Sequence, residues 1–137
     1  MGEVRVKVKL INAVDEALAR RGRLNEEDVR FYEADALIDT GAISSVLPPF
    51  VVEQLGLMAT GKRAVEYADG RTEAVDVTEP LTVDIFGRRT SEEAFVLGDE
   101  VLIGQTVLEK IDLLVDCANR RVIPNPAHPD QPVSKIK

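Results

Sequence analysis

The chain has 137 residues, about one domain, and is 45% hydrophobic and 30% charged, enough apolar side chain for a real core. Seventeen Lys and Arg stand against 24 Asp and Glu, a net charge of −7 that disfavours nucleic-acid and anionic-membrane roles. One cysteine (Cys117) and one histidine (His128) rule out an intrachain disulfide and a zinc site anchored on the pair.

Val4, Val6, Val8 and Leu10 alternate with Arg5, Lys7 and Lys9, the period of a half-buried strand. Residues 12–28 are polar and charge-rich, readable as a short helix over Asp15 to Arg20 or as a surface loop. A second strand is predicted from Val29 to Ile38, ending in Asp39-Thr40-Gly41. Pro48-Pro49 opens a short helix over Phe50 to Leu55, with Gly56 as its stop. Arg63 to Tyr67 and Thr72 to Val77 flank Asp69-Gly70, a hairpin signal because such turns need positive φ. Leu81 to Phe86 and Thr90 to Leu97 predict another hairpin, turning at Gly87. Val101 to Ile103 is a short buried strand, followed by a helical turn from Gln105 to Ile111. Leu113 to Asp116 and Arg121 to Ile123 complete seven or eight strands with two small helices, a mainly β fold.

Several chemistries find no support in this pattern. His128 lies in a Pro-rich tail, so Ser-His-Asp or Cys-His catalysis would have to rest on it alone. Cys117 follows an apolar run and is expected to be a small buried hydrophobe. Ser44-Ser45 are not in a Gly-x-Ser-x-Gly elbow. Gly98-Asp99-Glu100 and Asp112…Asp116 lack the alternating oxygen ligands of a calcium loop, so no metal or cofactor is expected. Arg5, Lys7 and Lys9 interrupt any N-terminal signal core, and no uncharged stretch is long enough to span a bilayer. A soluble, cytoplasmic domain is the expectation, and enzymatic chemistry would run on carboxylates, hydroxyls or backbone.

The informative stretch is Ala36-Leu37-Ile38-Asp39-Thr40-Gly41-Ala42. Asp, Thr and Gly are ordinary turn residues. An acid directly after two aliphatics at a strand end is, however, expected to carry a partly desolvated carboxylate. Gly41 lets main-chain N–H groups approach that carboxylate, and Thr40 offers a hydroxyl to neighbouring backbone. A weak internal echo accompanies it: Leu37-Ile38 before Asp39 matches Leu102-Ile103 before Gly104, sixty-five residues later.

On these residues the chain resembles the retropepsin-like aspartic proteases, the retroviral proteases and their single-domain bacterial relatives. Four features carry the resemblance in order: Asp39-Thr40-Gly41-Ala42, the Asp69-Gly70 hairpin, Leu102-Ile103-Gly104, and the short helix after it. The resemblance implies a mainly β, acid-protease half-barrel with one or two short helices, forming a C2 homodimer. It implies one domain: a core over about 29–123, a charged insertion over about 12–28 and a Pro-rich tail over 124–137. Asp39 would be the catalytic carboxylate of an aspartic endopeptidase, supported by Thr40, Gly41 and Ala42. Ala68, Asp69 and Gly70 would tip a flap that covers peptide substrate, and Leu102, Ile103 and Gly104 would be structural. Because the position matching Asp39 is Gly104, one chain carries half a dyad, so the implied partner is a second copy. Three departures stand out. Ile43 and Gln105 occupy the places of a retroviral Asp–Arg pair, Ala42 replaces the Ser of pepsin-like members, and the flap tip is charged. They leave an alternative, a catalytically silent module that binds extended peptides or a partner protein.

Overall fold

A computed structural model describes residues 2–136. Strand β1 (Arg5–Ile11) buries its alternate apolar side chains, as the period of two requires. Helix α1 (Ala13–Arg20) follows, and a single 3-10 turn spans Glu26–Asp28. Next come β2 (Phe31–Asp39), β3 (Ser45–Leu47), α2 (Pro49–Leu55), β4 (Ala59–Glu66) and β5 (Thr72–Thr78). Strands β6 (Leu81–Ile85), β7 (Arg88–Glu92), β8 (Ala94–Val96) and β9 (Leu102–Gly104) precede helix α3 (Gln105–Lys110). The chain ends with β10 (Leu113–Asp116) and β11 (Arg121–Pro124). The fold is thus mainly β, with more strands and one more helix than the sequence predicts. No helix among the described residues is long and apolar enough to cross a membrane.

Nine strands form one sheet in the order β4-β5-β8-β3-β9-β2-β1-β6-β7, and β10 and β11 pair separately. Strand β1 lies between β2 and β6, antiparallel to both, with Arg5 opposite Leu37 and Ile11 opposite Phe31. The core gathers Leu10, Leu47, Leu55, Ile85, Ile103 and Leu108, each almost fully buried. Burying a side chain of this size contributes roughly 1.5–3 kcal/mol, so the core rather than helix propensity holds the short helices in place.

The charged segment after β1 is tied down by polar contacts. Asn12 is buried and caps α1, its side-chain oxygen accepting from the Asp15 N–H at 2.9 Å. Its amide also donates to the Leu55 carbonyl at the end of α2, at 2.8 Å. Buried Asp15 accepts from Arg30 through Nε at 2.8 Å, Nη2 at 3.0 Å and the backbone N–H at 3.0 Å. These Arg30 contacts hold the Asp15 carboxyl below the usual carboxylate range, against the opposing effect of burial. Of the two readings for this stretch, the helix is the one formed.

Two local expectations need correction, and a third is refined. The run Thr90 to Leu97 is two strands, because the Ala94 N–H turns away to the Thr78 hydroxyl at 3.1 Å instead of continuing the β6–β7 ladder. The hairpin at Asp69-Gly70 forms as expected, and its turn is a three-residue loop, Ala68 to Gly70, in which only Gly70 has positive φ, 89°. The two-residue turn with positive φ at both positions falls instead at Phe86-Gly87, at 57° and 79°. Cys117 is exposed rather than buried, because it lies in the turn between β10 and β11 beyond the last strand position.

Candidate active site

Strand β2 delivers Asp39 as its last residue, and the chain then turns sharply. The Ala42 N–H donates to the Asp39 carbonyl at 3.1 Å, and the Gly41 N–H donates to Asp39 Oδ1 at 3.0 Å. A Cβ on Gly41 would stand 3.2 Å from that carboxylate oxygen, tighter than most contacts tolerate. Glycine there admits the backbone close to the acid, as expected. The desolvation does not follow: Asp39 is exposed in the single chain, because none of the described residues covers the end of β2. Thr40 is exposed as well and faces a different groove, bordered by Val4, Cys117 and Arg120.

The sixty-five-residue echo becomes a physical pairing. Strands β2 and β9 run parallel with Leu37 beside Leu102, Ile38 beside Ile103 and Asp39 beside Gly104. A side chain at Gly104 would collide with the carbonyl oxygens of Ala42, Ile43 and Ser44, all 2.7–2.8 Å from its Cβ position. That close approach lets the loop after Asp39 clasp the start of α3. The Gln105 N–H donates to the Ala42 carbonyl at 2.8 Å, and the Gly104 N–H donates to buried Ser45 Oγ at 3.2 Å. The Gln105 side chain bonds Glu109 at 3.2 Å, and Ile43 is 77% exposed, so neither does the work of an ion pair.

Opposite this loop the β4–β5 hairpin closes a cleft of about 870 Å³. Asp39, Gly41 and Ala42 line one wall with Leu102, and residues 63–68 line the other. Of the expected flap tip, Ala68 reaches the cleft lining, while Asp69 and Gly70 do not. Ile103 and Gly104 are buried behind it. The Asp69 carboxylate accepts from the Arg71 N–H at 2.9 Å and from Arg71 Nε at 2.7 Å, which keeps its carboxyl below the usual range. Arg71 lies over the Tyr67 ring at 4.9 Å, and the Tyr67 hydroxyl donates to Glu73 at 2.7 Å. That acceptor raises the phenol above its ordinary value.

Sequence reasoning put Arg63, Glu66 and Tyr67 on the hairpin without singling them out, and missed Val46, Phe95 and Leu97 in the cleft. Phe95 lies in β8 and Leu97 just past its end, and a short apolar run of this kind does not say what it faces. Among the described residues no cluster of three or more His, Cys, Asp or Glu could hold a metal.

Comparison with known proteins bears on the family and the fold. The family described as "gag-polyprotein putative aspartyl protease" matches residues 21–110. The EIAV protease in complex with the inhibitor HBY-793 is similar at 20% identity and TM-score 0.51, over 80% of this chain and 88% of that one. The retroviral protease-like domain of Ddi1 from Leishmania major is similar at 15% identity and TM-score 0.56, over 92% of this chain and 90% of that one. No curated protein matches the sequence. With two thirds of its length matched by the family and its fold shared with these structures, the chain belongs to the retropepsin-like aspartyl protease family.

Proposed function

We propose that the protein is an aspartic endopeptidase that works as a homodimer, with one active site shared by two copies of Asp39. The observation that supports this most directly is the pairing of Asp39 with Gly104. The acid opens on the cleft under the hairpin, and the matching position beside it has no side chain. A single chain therefore offers one carboxylate, and a twofold axis through the end of β2 supplies the other. In aspartic proteases generally, two carboxylates about 3 Å apart cannot both ionise, so they share one proton. One takes a proton from water while the other, protonated, polarises the scissile carbonyl. The second copy would also cover the exposed end of β2.

Thr40 would then face its counterpart and fix the two loops, while Gly41 and Ala42 line the floor where substrate backbone lies. The hairpin with Ala68, Asp69 and Gly70 at its tip would close over an extended peptide and exclude water. Residues 29–123 would form the catalytic core of a single domain, with 12–28 as an insertion and 124–137 as a tail. A cytoplasmic setting suits a chain whose one cysteine is unpaired.

The test is incubation of the purified protein with a random peptide library between pH 4 and 7, beside the Asp39→Asn variant. Cleavage by the parent and none by the variant is the expected result; no cleavage that depends on Asp39 at any pH overturns the protease reading. A second reading is supported by the flap tip, whose charges are satisfied by Asp69–Arg71 and Tyr67–Glu73 within the hairpin. A tip stiffened in this way suits a module that holds a peptide without cutting it. That reading predicts peptide binding equal in the parent and Asp39→Asn proteins, with no cleavage by either.

A further inference from the structure

The β4–β5 hairpin carries seven charged side chains, and their partners divide them in two. Lys62 pairs with Asp76 at 2.9 Å, Arg71 with Asp69 at 2.7 Å, and Glu73 takes the Tyr67 hydroxyl. Among the described residues, Arg63 and Glu66 have no such partner, and both line the cleft. Both are exposed, on the strand at the open edge of the nine-stranded sheet. An edge strand of this kind accepts an added extended strand through its free backbone groups. Three residues apart, Arg63 and Glu66 project from opposite faces of β4, about 10 Å apart along it.

We propose that Arg63 and Glu66 set the charge preference of the cleft. Arg63 selects an acidic side chain, and Glu66 a basic one, on an extended peptide laid along β4. A strand repeats every two residues, so a peptide with its acid and base three positions apart presents them on opposite faces in the same way. Such a segment meets both charges at once, and the one residue between them that faces the cleft is apolar, against Phe95 and Leu102. Like charges at the same places would be repelled. This inference rests on the reading that the cleft takes extended peptides, and holds whether or not they are cut.

The test uses the full chain carrying Asp39→Asn, so that binding is measured without cleavage. Fluorescein-labelled decapeptides with an apolar centre carry Glu and Lys three positions apart in either order, or Gln at both places. Anisotropy titrations should show at least one Glu/Lys order binding more tightly than the Gln peptide, by up to roughly fivefold per exposed ion pair. Raising the salt concentration should shrink the difference. Arg63→Glu with Glu66→Arg should invert the preference towards the opposite order, and Arg63→Lys should retain it. Equal binding of charged and neutral peptides, or a preference unmoved by the double reversal, overturns the inference while leaving the peptide-binding cleft intact. Binding of no peptide at all overturns the cleft reading and this inference together; cleavage by the parent protein is scored separately.

Discussion

Single positions in this fold carry constraints that their neighbours do not. Asn12 satisfies two elements at once: its carbonyl caps α1 and its amide occupies the Leu55 carbonyl at the end of α2. Truncation to alanine removes a cap and leaves a buried carbonyl without its donor. Asn12→Ala should therefore lower stability by about 2–3 kcal/mol, read as a shift of the urea midpoint at constant slope. Gly104 is constrained by space rather than by φ, since three carbonyl oxygens converge where its Cβ would be. Gly104→Ala should cost about 1–3 kcal/mol by forcing the Ala42–Ser44 loop outward, and should reduce peptide cleavage through Asp39 further than the stability loss explains. An unchanged melting temperature would show that the loop gives way freely.

At the scale of elements, the C-terminal segment is fastened to the body through Asp112 and Arg88. Asp112 follows α3 with φ at 60°, and its carboxylate accepts from the Asn125 amide at 2.9 Å, His128 Nδ1 at 2.7 Å and the Val133 N–H at 3.1 Å. Buried Arg88 completes the join, donating to the carbonyls of Ile111, Asp112 and His128. The Asn125 amide, ahead of the Val133 N–H and His128, holds the Asp112 carboxyl below the usual carboxylate range, against an opposing effect of burial. A depressed folded value means that the ionised carboxylate stabilises the fold above the ordinary carboxylate pKa of about 4. The contribution is lost as pH falls through the depressed value. Asp112→Asn keeps the shape and suits positive φ, and like the protonated acid it removes the charge and leaves a single accepting oxygen where two accept now. Urea midpoints of parent and variant should differ at pH 6–7 and converge as pH falls below the usual carboxylate range; a constant gap would place the stabilisation elsewhere.

The whole molecule is an incomplete site until it is doubled, on the reading proposed for it. Its cleft contains one acid at the end of β2, exposed where a desolvated carboxylate is needed for chemistry. Purified protein should sediment at tens of micromolar with twice the 15.0 kDa mass of one chain. Asp39→Asn should preserve that mass and abolish cleavage. Mixing equal amounts of parent and variant, with time to exchange, should cut activity to about half, since random twofold pairing leaves that share of parent dimers. Activity that stays proportional to the parent chain alone would mean that each chain works by itself.

What the sequence determined by itself was local. The alternation of Val4 to Leu10, the Pro48-Pro49 start and Gly56 stop of α2, and the Asp39-Thr40-Gly41-Ala42 turn are readable because strand period, caps and turns act over a few residues. The same block was enough to suggest the family that the comparisons then established. Tertiary structure decided everything that depends on distant segments meeting. It set Asp39 beside Gly104, divided Thr90 to Leu97 between two places in the sheet, and left Cys117 outside the core. It also put Asn12 against Leu55, and Asp112 against His128 and Val133. No periodicity announces those contacts, because burial and pairing belong to the packed chain, and two residues that meet across ninety-five positions, as Arg5 and Glu100 do, leave no mark on their neighbours.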